Sequence, residues 1–285
     1  MGSDDYRGPP LPVRTTRHLR PGRHASPHQL SLSAEAPALV LAVPGTAGPA
    51  SEQVAAEVAA SAGASCPGVT VTFGYLEGRE GHLSTVLDGL RGQDDRPAAV
   101  VIPLLTGPFA QWDQAIAAAV ASADARILVA EHLGPHPFLA EAMHARLSEA
   151  GLTRAGRSGR ISVVSAADGI IVGAVGDQEI AMQTAGVVAV LLASRLTIPA
   201  VPALLGDHYG LRNAAEHLRA AQVAHVMLSP CAIGPETSAS AVAAIASDTG
   251  LECAPPLGGY PTIGHLVAIR YGAVLEDPQL ADVPR

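Results

Sequence analysis

The chain has 285 residues, 48% hydrophobic but only 3% aromatic, with a formal net charge of −8. All 18 basic residues are arginine in an otherwise acidic chain, which excludes the broad basic face that nucleic-acid binding needs. Cys66, Cys231 and Cys253 form no C-x-x-C pair, which argues against a disulfide framework or zinc knuckle and fits a reducing cytoplasm; the longest apolar run, 185–193, falls well short of the ~18 residues of a membrane span.

Residues 1–35 carry Arg7, Arg14, Arg17, Arg20 and Arg23 among Pro, Gly and His and offer no hydrophobic core of a secretion signal. They read as a disordered leader, or as a basic arm for an acidic partner. From residue 36 short apolar runs alternate with helical stretches. ALVLAV (38–43), VTVTFGYL (69–76), AAVVIPLL (98–105) and ARILVAEHL (125–133) are bounded by Gly or Pro and predict buried strands. Helical spacing predicts helices over 51–62, 82–90, 110–123 and 137–150. A Gly/Arg/Ser-rich stretch, 151–159, then separates a second half of the same order. Its strands are expected at 160–166 (RISVVSA), 198–205 and 224–229, with a short one near Leu251. Its helices are expected at 178–196, 211–220 and 236–247, with a last helix at the end.

The alternation predicts an α/β protein with parallel sheets and right-handed crossovers, whose chemistry belongs at the carboxyl ends of the strands. The halves read as a duplication. PLGGYPTIGHLVAIRY (256–271) aligns with HLGPHPFLAEAMHARL (132–147) at an offset of 124 residues, and GPE (234–236) with GPF (107–109) at 127. The expected organisation is a leader (1–35), an N-terminal domain (36–152), a C-terminal domain (160–275) and a tail (276–285).

Four segments, in order, resemble those of the sirohydrochlorin chelatase (CbiX-like) family, whose members insert a divalent metal into a carboxylate-bearing tetrapyrrole. VPGTAGPA (43–50) resembles the family's Gly-His-Gly-Ser loop after the first strand, and YLEGREGHL (75–83) its Phe-Leu-Glu segment. IPLLTGPFAQWD (102–113) resembles its Pro-Leu, Gly-x-His segment, and HLGPHPFLAEAMHARL its Leu-Gly-x-His-Pro helix start. The resemblance implies two flavodoxin-like, chelatase-like doubly wound domains. It also implies a sirohydrochlorin-type tetrapyrrole as partner and iron or cobalt as substrate metal, with no permanently bound cofactor, in siroheme or cobalamin synthesis. It says nothing about the oligomeric state.

Carried over residue by residue, the family's metal-holding His, Glu and His fall on Pro44, Glu77 and Phe109. Imidazole both ligates such metals and accepts protons; proline and phenylalanine do neither. In the second half the matching positions are read as Ala166, Leu205 and Glu236. Glu77 is therefore the candidate catalytic residue, and Glu77, Glu236 and His208 are the candidate metal ligands. Gly45, Thr46, Gly107, His82 and His136 are the candidate substrate-binding residues. Gly45 and Thr46 open a strand-to-helix loop whose free N–H groups suit carboxylates. Glu77 with His82 or His136 is an alternative, rearranged metal site, and Asp207–His208 and Cys231, at strand ends of the second half, are further candidate ligands. Capping or turn roles are the competing readings for His82, His136 and the Asp207–His208 pair, and a small buried residue is the competing reading for Cys231. Three functions stay open: a chelatase, a relative that binds a tetrapyrrole, metal or partner without catalysis, and a two-lobed small-ligand binder.

Overall fold

The computed structural model describes residues 36–90, 96–151 and 167–277. The leader, the linker with the strand expected at 160–166, and the tail from residue 278 lie outside them. The first half runs β1 (Ala38–Val43), α1 (Pro49–Ser65), β2 (Val71–Tyr75), α2 (Leu83–Asp88), β3 (Ala99–Pro103), α3 (Ala110–Ser122), β4 (Ile127–Val129) and α4 (Pro137–Glu149). The second runs β5 (Gly169–Ala174), α5 (Gln178–Leu196), β6 (Ala200–Leu204), α6 (His208–Ala220), β7 (Val226–Cys231), α7 (Ala239–Thr249), β8 (Glu252–Cys253) and α8 (Pro261–Glu276). All pairings are parallel, in the orders β2-β1-β3-β4 and β6-β5-β7-β8. The duplication is therefore carried in the topology as well as in the sequence.

The central strands are apolar on both faces because both faces are covered. Along β1 the alternation of the pleat sends Leu39, Leu41 and Val43 to one core and Val40 and Ala42 to another. The first of these cores also contains Ile170 and Val172 of β5 and Tyr271 of α8, so it is shared by the two halves. Two smaller cores lie on the outer faces, one around Trp112 and Ile116, the other around Leu211 and Leu218. Helices α1, α4, α5 and α8 make the shared layer, α1 packing on α8 and α4 on α5. At the first crossing a Cβ on Gly264 would stand 2.3 Å from Ser61 Cβ, so only glycine permits the approach. Helix α5 is long and apolar enough to cross a membrane by composition, but it lays Ala181, Ala185, Val188 and Leu192 into the shared core.

The first strand of the second sheet is GIIVGA, 169–174, which the sequence reading passes over in favour of 160–166. The glycines that make it look like a loop are packing sites: a Cβ on Gly169 would meet Val223 Cγ1 at 2.6 Å, and one on Gly173 would meet Leu205 Cδ2 at 2.7 Å. Register then corrects the second-half counterparts. Leu205 N–H bonds Ala174 O as Leu76 N–H bonds Val43 O, so Leu205 matches Leu76 and Gly206 matches Glu77. Val175, the residue after β5, matches Pro44, the residue after β1. Glu236 keeps its match to Phe109, because β7 and β3 pair equivalently with β5 and β1.

Candidate functional site

Between the halves, at the carboxyl tips of the strands, lies a cleft of about 610 Å³. One wall is residues 44–51, with Glu77 beside it; the other is Ile233–Pro235, Ser238, Ala239, Pro255, Pro256 and Gly258, with Arg146 of α4. The volume is that of a small-molecule pocket.

The first wall follows from the local sequence. β1 ends at Val43, and Gly45, at φ +77°, turns the chain in a conformation that glycine adopts without strain. Gly48 is the N-cap of α1 and Pro49 its first residue; no side chain caps this end. Ser51 Oγ instead donates to the carbonyls of Thr46 and Gly48, each at 3.0 Å, which holds the loop. The N-terminus of α7 reaches the cleft from the other half, its cap Ser238 accepting the Ala241 N–H at 3.1 Å. Two helix N-termini thus bring their positive ends to one cavity, an environment that favours anionic groups.

Glu77 is exposed, and its N–H donates to Gly45 O at 2.9 Å, tying it to the β1 loop. Its Oε1 accepts from Gln111 Nε2 at 3.2 Å. Gln111 is in turn placed by the start of α3, where Asp113 accepts the Phe109 N–H at 3.1 Å and meets His132 Nε2 at 2.7 Å. Among the described residues Glu77 and Arg146 are the ionisable side chains lining the cleft.

Repeat symmetry sets a second, equivalent junction against this one. There Gly176 replaces Gly45 and Pro108 replaces Pro235. A Cβ on Gly176 would come within 2.9 Å of Pro108 O, against 3.7 Å for Gly45 and Pro235 O. Asp177, the N-cap position of α5, leaves its own helix uncapped and accepts the Ala110 N–H of α3 at 2.7 Å across the junction. One junction is bridged; the other, with Glu77, opens into the cleft.

The structure therefore brings Gly45, Thr46 and Glu77 together and leaves the other expected site residues elsewhere. His82 caps α2, its Nδ1 accepting from Ser84 N–H at 3.3 Å. His136 caps α4, its Nδ1 accepting from Phe138 N–H at 3.1 Å; burial, with Arg270 nearby, lowers its pKa and keeps the ring in the neutral form that can accept. Gly107 faces Thr184 of α5 and does not line the cleft. His208 lies 3.8 Å from Asp248, and Asp207 caps α6. Phe109 packs edge-on against Trp112 with ring centroids 6.1 Å apart.

Glu236 turns back on its own loop, accepting from Ile233 N–H at 2.5 Å and Gly234 N–H at 2.9 Å. Burial pushes its carboxyl above the usual range, while those two N–H groups pull the other way. Glu77, Glu236 and His208 do not form a metal site: among the described residues no three His, Cys, Asp or Glu side chains are grouped to hold an ion. Both N–H-rich turns and caps consume the donors that the sequence offered as ligands.

Arg146 is the site residue that sequence reasoning missed. Its Nε donates to Leu257 O at 2.9 Å and its Nη1 to Glu149 Oε2 at 2.7 Å, and the guanidinium lies 5.9 Å from the centre of the Tyr260 ring. A signal was present: at the repeat offset of 124 its counterpart is Arg270, the one cation shared by the two aligned segments.

Residues 38–150 match the CbiX family model. No curated protein matches the sequence. Among solved structures, the sirohydrochlorin chelatase SirB from Bacillus subtilis subspecies spizizenii in complex with cobalt is 17% identical, with a TM-score of 0.57 over 85% of this chain and 97% of that one. CbiX, described as the terminal enzyme for biosynthesis of siroheme in denitrifying bacteria, is 16% identical, with a TM-score of 0.57 over 84% and 100%. DR2241 from Deinococcus radiodurans, a multi-domain protein with structural similarity to chelatases, is 17% identical, with a TM-score of 0.53 over 84% of this chain and 55% of that one. Residues 38–150 thus match the CbiX family model, and the two sheets together have the fold of the sirohydrochlorin chelatases.

Proposed function

We propose that the protein takes a carboxylate-rich tetrapyrrole of the sirohydrochlorin class into the cleft between its halves, and that Glu77 assists as iron or cobalt enters the ring. The observation that carries this reading is the position of Glu77 on the cleft wall, tied to the β1 loop and held by Gln111, where it is the acidic side chain among the lining residues. The two helix N-termini suit the acetate and propionate groups of such a ligand.

Metal entry into a free tetrapyrrole displaces two pyrrole protons as four ring nitrogens take up the metal. A carboxylate beside the ring can accept one of those protons and offer an oxygen to the approaching cation. The open cleft leaves water to carry the second. Pro44 supplies neither a ligand nor a base, and Phe109 is turned into the outer core, so the work falls on Glu77. That economy also favours a second reading, in which the tetrapyrrole is bound and no metal is inserted. On either reading the protein would serve siroheme or cobalamin synthesis in the cytoplasm.

Titration of the purified protein with sirohydrochlorin should shift the pigment's absorbance; no shift removes both readings. Cobalt(II) insertion should run faster with protein than without it and fall to the spontaneous rate in Glu77→Gln. Insertion at the spontaneous rate in the unaltered protein, with pigment binding intact, leaves the second reading.

A further inference from the structure

The proposed ligand carries several carboxylates, and the cleft lining holds one cation to meet them. Arg146 is three-quarters buried, with a side chain 24% exposed, yet it lies on the cleft wall next to Gly258. Two of its three nitrogens are committed, Nε to Leu257 O and Nη1 to Glu149. Nη2 makes no hydrogen bond among the described residues and lies so near Gly258 that a Cβ there would stand 2.6 Å from it. Gly258, at φ +61°, is therefore the opening through which this nitrogen reaches the wall.

Such an arrangement is prepared for a carboxylate. The guanidinium is already immobile, so little side-chain freedom is lost when a ligand arrives, and a charge-assisted bond to Nη2 gains accordingly. With Nη1 held by Glu149 the contact is made through a single nitrogen. The repeat-equivalent Arg270 provides an internal comparison. It likewise reaches the opposite half, from Nη2 to Leu133 O at 3.4 Å, but pairs with Glu131 at 3.1 Å and does not line the cleft.

We propose that Arg146 is the residue by which the cleft recognises a carboxylate of its ligand. The proposal rests on the tetrapyrrole reading above and adds a specificity determinant to it. The test compares sirohydrochlorin with its methyl ester, both in the same cosolvent, as ligands for the full chain and for Arg146→Gln and Arg270→Gln. Circular dichroism and urea unfolding of each variant report on the fold. Arg146→Gln should weaken sirohydrochlorin binding by about tenfold or more, the factor carried by one charge-assisted bond, and leave ester binding within about twofold. Arg270→Gln should lower the urea midpoint and leave sirohydrochlorin binding within about twofold, because its clamp is structural. Equal losses for acid and ester, or no loss for the acid, overturn the role of Arg146 while the cleft reading stands. An unaltered chain that binds neither pigment overturns the cleft reading and the proposal together.

Discussion

The Nε of Arg146 on α4 donates to the carbonyl of Leu257, in the loop that follows β8 of the opposite half, at 2.9 Å. The bond ties the last helix of one repeat to the strand tips of the other, beside Gly258, which lines the cleft with Arg146. Arg270 on α8 repeats the reach toward Leu133 less completely, since its own Nε is buried without a partner among the described residues. Duplication has therefore produced two clamps of unequal quality, and the better one faces the cavity.

Gly258→Ala should test how tightly that clamp is fitted. At φ +61° an alanine is strained by about 1–2 kcal/mol, and its Cβ crowds Nη2. A urea midpoint lowered by that amount, with weaker sirohydrochlorin binding, is expected. An unchanged midpoint would show that the loop relaxes freely around the added methyl group.

Asp177→Ala removes the acceptor that caps α3 from the opposite half at 2.7 Å. A lost cap of this kind costs about 1 kcal/mol. Equilibrium unfolding should register it, and Asp177→Asn, which keeps an acceptor oxygen, should retain more of the stability. Because the bond closes the junction that lacks Glu77, pigment affinity should move little.

Pro44→His places an imidazole on the cleft wall near the β1 loop to which Glu77 is tied. Calorimetry with cobalt(II) should show affinity raised by at least about tenfold over the unaltered chain. Phe109→His should not reproduce the gain, because that side chain packs on Trp112 in the outer core, and it should instead lose stability. Equal cobalt affinity in Pro44→His and the unaltered chain would show that this wall cannot build a metal site.

The three thiols should be inert in the native state. Burial pushes Cys66 up to about 11 and both Cys231 and Cys253 up to about 12. At pH 8 the reactive thiolate is then at least about a hundredfold scarcer than in a free cysteine, and a disulfide reagent should label the folded protein slowly and the unfolded protein at once. The same shifts set a pH dependence. The folded chain keeps protons that the unfolded chain releases near pH 9, so the thiols' contribution to stability is fully present below that value and is lost as pH rises toward 12. Midpoints that rise over that interval would contradict the burial of these groups.

Much of the architecture was legible because burial on both faces leaves a compositional trace. β1 reads directly from ALVLAV, and α5 from the apolar and small run at 185–193 within 178–196. The error at the start of the second sheet has the opposite origin. Gly169 and Gly173 look like loop residues along the chain and are dictated by Val223 and Leu205, which are distant in sequence.

The site was legible only in part. Gly45 and Thr46 stand in the turn from β1 to α1 and Glu77 in the turn from β2 to α2, and local signals suffice for such turns. His82, His136 and Glu236 were indistinguishable from ligands by type, and became caps and loop anchors once neighbouring N–H groups came within reach.

The sequence by itself determined the alternation of strand and helix and the duplication, since these depend on periodicity and residue type; that Pro44 and Phe109 stand where the chelatases have imidazoles is what the resemblance implies. Tertiary structure alone decided that the halves share a core, that one junction is bridged by Asp177 while the other opens, and that Arg146 faces the opening. Each of those outcomes depends on which groups from distant segments meet, and a hydrogen bond or a close approach has no meaning until both partners are in place.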